Sequence, residues 1–196
     1  PVISAFRTAA PGVTLTIAQP EEIEVVRELV RSGECEIGVL DQRAQDTDEL
    51  RMEVIATQEL FAVLPPGTRV GRNRTLTWPD LLAHGLITGA RGTLVRDLVE
   101  QWAREEGREV RVAIELGRRE TSIHLVLVGA GAAVLPASLA QTAAALGAEV
   151  RPLRHPVPRT LCMCWRPGPL SPAAELFRRL VRARVATAAG AGGAGG

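Results

Sequence analysis

The sequence predicts an α/β fold built as two lobes, and three features of the chain carry this prediction. Segments that alternate like β-strands are interspersed with segments that show the apolar period of a helix. The order strand, helix, strand occurs twice, which predicts parallel strand pairs joined by right-handed crossovers. Proline-rich breaks at Pro65–Gly67 and His155–Pro158 divide the chain, so we expect one lobe from 1–64 with 159–185 and a second from 65–158.

The first lobe opens with a helix that leads into a strand. Val2, Ile3 and Phe6 recur at helical spacing, and Pro11-Gly12 ends that pattern. The next segment, Val13–Ile17, alternates apolar residues with threonine and therefore predicts a strand.

A second helix and further strands complete this part of the lobe. The helical period begins at Glu21, with acidic residues in the first turn, and Gly33 ends it. Ile37–Leu40 is a short apolar run typical of a buried strand, and Gln42–Asp48 is a polar loop. The remaining apolar stretches are predicted as strands, at Met52–Ile55 and Leu60–Leu64.

The second lobe repeats this order. Thr77 with Asp80 three residues later has the pattern of a capping box and predicts a helix start. A long helix follows the loop Thr88–Gly92 and ends at Gly107, and Gly129-Ala130-Gly131 is interpreted as a turn for close packing rather than a nucleotide loop. The predicted strands are Leu86–Ile87, Val110–Ile114, Ala132–Leu135 and Val150–Leu153, and helices are predicted at Ile123–Val128 and Ala137–Leu146.

The end of the chain returns to the first lobe. Leu161–Trp165 predicts a strand, and Ser171-Pro172 starts a basic amphipathic helix whose arginines are expected to form a solvated face. Residues Ala186–Gly196 are almost all alanine and glycine and are predicted to be a disordered tail.

Composition and charge exclude several classes of protein. The 23 Lys and Arg residues nearly balance the 22 Asp and Glu residues, so this chain alone is expected to bind DNA poorly. No apolar run approaches the length that spans a bilayer, and no signal-peptide pattern is present, so no membrane partner and a cytoplasmic location are expected. The first residue is Pro1 rather than methionine, which suggests trimming at the N-terminus.

No catalytic residue, metal site or cofactor is predicted. The sequence has no GxSxG, HExxH or GxxxxGK[ST] motif, and its three histidines stand singly. Cys35, Cys162 and Cys164 show no CxxC spacing and are expected to be buried, inert thiols. We therefore do not expect an enzyme.

Two loops between a strand and a helix suit ligand binding. Thr88–Thr93 leads into a helix N-terminus, where backbone amides and the helix dipole favour an anion. Thr93 fits a helix cap equally well. The counterpart in the first lobe is Ala18–Ile23, with Gln19 as a polar candidate, because ligands of open α/β sheets gather at the carboxyl ends of strands.

The order of these motifs resembles the effector-binding domain of LysR-type transcriptional regulators over roughly Val2–Val181. Glu36 stands at an acidic position where aspartate is commoner in the family, a change that we interpret as structural. The matching segments are Phe6 with Pro11–Val13, Leu29–Gly38, Leu60–Pro66, Leu76-Thr77 with Asp80-Leu81, Leu125-Val126 through Gly129–Gly131 to Leu135-Pro136, and Arg166 with Leu170–Pro172.

The resemblance implies a periplasmic-binding-protein-like fold of type 2, with two chain crossings between the lobes and a cleft for a small effector, for which an anion is one candidate. In the family an N-terminal winged helix-turn-helix and a linker helix read DNA. Both are absent from this chain, so DNA is expected as a partner only through them. A homodimer or homotetramer is expected through lobe surfaces. The strand that usually precedes the opening helix is not evident.

Carried over by position, the family's effector contacts fall on three segments. They are Gln19, Glu22 and Ile23; Ala90, Arg91, Gly92 and Thr93; and Glu120 and Thr121. The family often has Ser or Thr near Glu22 and Ile23, and this sequence has neither there, so the effector's identity stays open. Two alternatives on the same fold are an extracytoplasmic solute-binding protein, which would carry a signal peptide, and a small-molecule enzyme, which would need converging acid, base or nucleophile residues.

Overall fold

Helices and strands alternate along the chain, as the predicted α/β class requires. The computed structural model describes residues 1–20, 22–42, 49–69 and 75–192, with residues 188–192 described by their backbone alone. The helices are α1 (Val2–Ala9), α2 (Ile23–Ser32), α3 (Trp78–Leu82), α4 (Leu94–Glu105), α5 (Thr121–Leu127), α6 (Ala137–Ala145) and α7 (Pro172–Gly192). The strands are β1 (Gly38–Asp41), β2 (Arg51–Leu64), β3 (Leu86–Gly89), β4 (Val112–Leu116), β5 (Ala132–Pro136), β6 (Glu149–Pro152) and β7 (Pro158–Trp165).

The chain divides into two compact units. Unit 1 comprises Pro1–Pro20, Val25–Thr57 and Thr160–Gly196, and unit 2 comprises Glu21–Glu24 and Gln58–Arg159. The predicted strands Met52–Ile55 and Leu60–Leu64 are one continuous strand, β2, which changes unit after Thr57. The first division therefore falls inside a strand rather than at the proline turn after Leu64. The second follows Arg159, one residue from the predicted boundary. Residues 43–48, which make up most of the predicted polar loop Gln42–Asp48, lie outside the described residues.

In unit 1, β1 pairs with β7 in antiparallel register. The predicted strand Val13–Ile17 is wrong, because the segment has no strand conformation and its alternating residues Val13, Leu15 and Ile17 are 41%, 37% and 56% exposed. Alternation decides which side chains share a face, but a strand also needs a neighbour for its backbone N–H and C=O groups. No described segment pairs with 13–17, so the parallel strand pair expected in the first lobe is wrong too.

Helix α7 is attached to the rest of unit 1 at its beginning and along one face. The ring of Phe177 meets that of Phe6 in α1 edge to face, with 5.7 Å between centroids. The Glu36 carboxylate accepts hydrogen bonds from the amide and the hydroxyl of Ser171, at 2.6 and 2.9 Å. The acidic side chain thus receives donors at the helix N-terminus, which supports the structural interpretation of Glu36.

The sequence predicts that the arginines of α7 form a solvated face, but two of them also contact other parts of unit 1. The Arg178 guanidinium lies 5.1 Å from the centroid of the Trp165 ring. Arg182 donates to both carboxylate oxygens of Glu53 on β2. These contacts attach the helix to the strands of unit 1, whereas Arg179 and Arg184 are exposed.

The predicted tail differs from the structure over much of its length. Helix α7 continues to Gly192, and residues 193–196 lie outside the described residues. Alanine has the highest intrinsic helix propensity, and adding residues to an existing helix is easier than nucleating one, so the Ala-rich segment extends α7. Within the described ranges no helix is long and apolar enough to cross a membrane.

Two of the three thiols are buried, as predicted. Cys162 and Cys164 lie on β7 with their side chains inside unit 1, while Cys35 is half-buried. Burial raises the pKa of the Cys164 thiol to about 11. That thiol is therefore neutral near pH 7, and the thiolate is the reactive form of cysteine.

The sheet of unit 2 is organised around β3. This strand lies between β4 and β5 and is parallel to both. The connection from β3 through α4 to β4 is the strand, helix, strand crossover that the sequence predicts for the second lobe, and this prediction is confirmed. On the other side of β5, β2 pairs antiparallel with β5 and with β6.

Neighbouring residues of these strands face two different cores. Leu86 packs in one core with Leu81 of α3 and Val99 of α4. Ile87 packs in the other with Val126 of α5 and alanines of α6. The strand period of two residues thus gives unit 2 a sheet with a helical layer on each face.

The packing around Gly131 leaves no room for a larger side chain, whereas the packing around Gly129 does leave room. A Cβ on Gly131 would lie 2.6 Å from the Gly85 carbonyl oxygen, which already accepts a hydrogen bond from Ala132. Gly131→Ala should lower the free energy of unfolding by about 2–4 kcal/mol, because overpacking adds to backbone strain at φ +155°. The measurement is urea unfolding followed by circular dichroism.

Gly129→Ala is the matched control for that variant. Gly129 has φ +80°, but no atom lies within 4 Å of the position that a Cβ would occupy, so only the left-handed backbone costs energy, about 1–2 kcal/mol. Equal losses in the two variants would contradict the packing role of Gly131.

The capping box at α3 is predicted to contribute to stability only above acidic pH. The Thr77 hydroxyl donates to Asp80 Oδ2 at 2.7 Å and the Thr77 amide donates at 3.1 Å, and these bonds lower the pKa of Asp80 from its ordinary 3.8. A lowered pKa means that the contribution is complete above that ordinary value and is lost as the pH falls through the folded-state pKa. Asp80→Ala should lower the unfolding free energy at pH 7 by about 1 kcal/mol.

Urea unfolding of wild type and Asp80→Ala between about pH 7 and pH 3 checks this prediction. The difference between the two proteins should shrink at the acidic end. Glu109→Ala, which removes an exposed carboxylate from the same unit, should cost less than about 0.5 kcal/mol throughout. A difference at Asp80 that does not change with pH would contradict the role of its carboxylate.

Candidate functional site

A small pocket lies in unit 2 where β3 ends and α4 begins. Its lining includes Thr88 and Gly89 of β3, Thr93 before α4, and Arg119 and Ser122 around the start of α5. The pocket has a volume of about 30 Å³, enough for a water molecule or a group of similar size. It therefore admits one polar group of a ligand rather than a whole metabolite.

Thr88 directs an unpartnered hydroxyl group into this region. The residue is 5% exposed, and within the described part of the chain its Oγ1 atom has no hydrogen-bond partner. Its backbone is paired with Glu115 of β4, and the preceding residues Leu86 and Ile87 are paired with β5 as well. A buried hydroxyl without a partner costs about 1–3 kcal/mol. A ligand atom that bonds to it would remove this cost.

Thr93 precedes α4 but does not cap it with its side chain. Its hydroxyl donates to the Ala90 carbonyl at 2.8 Å, and the Gly92 amide donates to Asp97 Oδ1 at 3.2 Å. The loop is thus folded back on the first turn of the helix. The N-terminal amides of this 12-residue helix favour an acceptor or a negative charge, an effect that the Asp97 carboxylate partly offsets.

Arginine side chains beside the loop are held by carboxylates. Arg96 is 8% exposed, and its Nε donates to Glu100 at 2.6 Å, the main cause that lowers the pKa of Glu100. Arg91 Nε lies 3.4 Å from the same carboxylate, and Arg96 Nη1 lies 3.7 Å from Glu115 on β4. The Arg91 side chain is 79% exposed, so its guanidinium stays accessible from solvent.

Of the residues predicted around this loop and α5, some line the pocket and others lie beside it. Thr93 lines the pocket, whereas Ala90, Arg91 and Gly92 form the adjoining loop without appearing in its lining. Glu120 and Thr121 are exposed at the start of α5, where Arg119 and Ser122 line the pocket instead.

The residues predicted from the first lobe lie in a different setting. Gln19 is exposed and belongs to unit 1, while Glu22 is half-buried, Ile23 is 3% exposed, and both group with unit 2. Their part in binding stays a prediction.

Sequence reasoning included Thr88 in a loop suited to ligand binding but did not select it as a contact, and it missed Arg119 and Ser122. The sequence contained a signal for Thr88, which follows Leu86-Ile87 in a strand. Because alternate residues of a strand face the same side, Thr88 is expected to face the same core as Leu86. Ser122 gave no such signal, because its burial depends on how α5 packs on the sheet. Its hydroxyl donates to the Arg119 carbonyl and so shapes the turn before α5.

No group of three or more His, Cys, Asp or Glu side chains that could hold a metal ion occurs in the described ranges. The candidate site offers hydroxyl groups, amides and a guanidinium. This set suits recognition of a ligand by hydrogen bonds.

The chain matches the family model described as the LysR substrate binding domain over residues 1–186. It is 28% identical over 137 residues to the "Probable HTH-type transcriptional regulator LrrA" of Synechococcus elongatus, an alignment that covers 69% of this chain and 45% of that protein. The chain thus spans about half the length of this curated relative.

Solved structures show the same fold. The regulatory domain of CcmR from Synechocystis PCC6803, in complex with 2-PG, superposes with a TM-score of 0.79 at 18% identity, covering 94% of this chain and 89% of that one. The effector binding domain of QuiR, in complex with shikimate, superposes with a TM-score of 0.74 at 14% identity, covering 92% and 86%. These likenesses confirm the expected periplasmic-binding-protein-like α/β fold. Because the family model matches nearly the whole chain, this chain belongs to the LysR substrate-binding domain family.

Proposed function

We propose that this chain is the effector-sensing domain of a longer LysR-type transcriptional regulator and that it binds a small molecule rather than catalysing a reaction. The observation that carries the proposal is the buried, unpartnered hydroxyl of Thr88 beside Thr93 and Arg119. Family membership supports the sensing role. The alternatives of a solute-binding protein or an enzyme on the same fold receive no such support.

The chemistry of the pocket favours an effector with an exposed oxygen. The hydroxyl of Thr88 can donate, Arg119 carries a positive charge, and the helix α4 N-terminus favours acceptors. Because the enclosed volume is about 30 Å³, only one such group enters, and the rest of the effector contacts residues outside it. An anionic carboxylate or phosphate fits these donors best.

Regulation would then follow from a population shift. An effector that binds one conformation of the domain more tightly than another changes their ratio, and the longer protein transmits that change to its DNA-binding segment. Contacts from Gln19, Glu22 and Ile23, assembly into a homodimer or homotetramer, and a cytoplasmic location belong to the same proposal.

Removing the Thr88 hydroxyl is predicted to weaken effector binding without lowering the stability of the fold. Thr88→Val removes an unpaired buried hydroxyl, so the free energy of unfolding should stay constant or rise by up to about 1 kcal/mol. The same change should weaken effector binding at least about five-fold, because one hydrogen bond is lost. Shikimate, 2-PG and inorganic phosphate are the first probes, measured by thermal shift and calorimetry.

Thr142→Val is the matched control for this experiment. Thr142 is an exposed threonine of α6 whose hydroxyl donates to Ser138, so its replacement should leave every probe's affinity unchanged. A probe whose binding is insensitive to Thr88→Val, Thr93→Ala and Arg119→Gln would show that this pocket is not the effector site.

In the longer protein, a ligand that stabilises this domain is predicted to change the affinity for operator DNA. At 100 times its Kd a ligand adds about 2.7 kcal/mol to the stability of the state that it binds. Fluorescence anisotropy with labelled operator DNA, with and without the ligand, measures the coupling. An unchanged DNA affinity at saturating ligand, in a protein that binds both, would exclude regulation of DNA binding by this route.

A further inference from the structure

A second pocket in unit 2 lies between α3 and the end of α4, among residues that the proposed effector site does not use. It is open to solvent and has a volume of about 180 Å³. An apolar cavity of about 150 Å³ accommodates benzene. The pocket is therefore large enough for one aromatic ring with a short substituent.

The aromatic wall of this pocket consists of Trp78 from α3 and Trp102 from α4. Both indoles are half-buried, with ring centroids 6.4 Å apart and planes inclined by 34°. In the described chain neither indole N–H donates a hydrogen bond to the protein. Half-buried tryptophans combine a flat apolar surface with a polar N–H group, a combination common in binding sites.

The backbone that supports the other wall is well fixed. Leu76 and Leu153 form a parallel bridge, in which the Leu76 amide donates to Pro152 at 3.0 Å and the Arg154 amide donates to Leu76 at 2.7 Å. This bridge places Thr77 and Arg154 next to each other at the pocket. The capping box fixes Thr77 in turn.

Charges of both signs line the pocket from separate elements. Glu106 follows α4, at the helix end where the dipole favours a positive group. Arg154 follows β6 and supplies positive charge, and the imidazole of His155 lies beside it in the lining. Among the described residues, the side chains of these three make no hydrogen bond or ion pair, although the charge of Arg154 acts on Asp80. A carboxylate and a guanidinium are thus both available to a ligand.

We infer that this pocket binds a small aromatic zwitterion of the amino-acid type. Its ring would stack on the indoles of Trp78 and Trp102, its ammonium group would pair with Glu106, and its carboxylate would pair with Arg154. Each of the three features of the pocket has one complementary group in such a ligand. The inference is independent of the proposed effector site, which lies at the other end of α4.

The test is a titration of the 196-residue chain with L-phenylalanine, followed by tryptophan fluorescence and by calorimetry. Two of the three tryptophans line the pocket, and the chain has no tyrosine, so most of the tryptophan emission comes from this site and the rest from Trp165. We expect saturable binding with a Kd of about 1 mM. The analogues 3-phenylpropionate, which lacks the ammonium group, and 2-phenylethylamine, which lacks the carboxylate, should each bind at least about five-fold more weakly.

Charge variants assign the two ends of the ligand. Glu106→Gln should weaken phenylalanine about five-fold and leave 3-phenylpropionate unchanged, and Arg154→Gln should weaken phenylalanine and leave 2-phenylethylamine unchanged. Glu109→Gln, an exposed carboxylate near Glu106 that does not line the pocket, is the matched control and should change nothing.

Several results would overturn the inference. They are the absence of saturable binding by either method up to about 20 mM phenylalanine, an affinity for either analogue that equals that for phenylalanine, and binding that Thr88→Val abolishes while Glu106→Gln leaves it intact. The last result would assign phenylalanine to the proposed effector pocket instead.

Discussion

Backbone pairing along both edges of β3 is the constraint on which unit 2 depends. Because β4 and β5 occupy the two edges, β3 cannot shift its register without breaking two ladders at once. That fixed register sends Leu86 into one core and Ile87 into the other, and it directs the next residue, Thr88, back toward the first. The Thr88 side chain is thereby held in a buried position, where its hydroxyl has no hydrogen-bond partner among the described residues. The candidate site is a consequence of the same ladders that hold the sheet together.

Unit 1 relies on a different set of constraints. Its strands β1 and β7 are antiparallel, and the long helix α7 is attached to them by side chains rather than by a crossover connection. Glu36 receives the donors at the start of α7, and Glu53 pairs with Arg182 farther along. Charged residues therefore have a structural role in this unit. In unit 2, Arg96 and Glu100 form a comparable pair, whereas Arg154 makes no hydrogen bond or ion pair among the described residues.

The relation between the two pockets of unit 2 follows from the geometry of α4. The N-terminus of this helix adjoins the pocket of Thr88, where amides favour an acceptor, and its C-terminus adjoins Glu106, where carbonyl groups favour a donor or a cation. One helix of 12 residues thus contributes opposite partial charges to two sites. The N-terminal end of α4 favours the anionic group of an effector, and its C-terminal end favours the ammonium group of a zwitterion. The helix therefore helps to distinguish the two ligands.

The sequence by itself determined the α/β class, the family and the positions where most helices start and end. The signals involved are local: Thr77 and Asp80 satisfy each other's amides within one turn, and Gly33 and Gly107 adopt the left-handed backbone that ends a helix. Only the tertiary structure decided which strands find neighbours and which side chains lose contact with water. Alternation alone therefore predicted a strand at Val13–Ile17 that has no pairing partner among the described residues, and motif position alone selected Thr121 rather than the buried Ser122. The indole pair of Trp78 and Trp102 was equally hidden, because residues 24 positions apart meet only when α3 and α4 pack on the same face of the sheet.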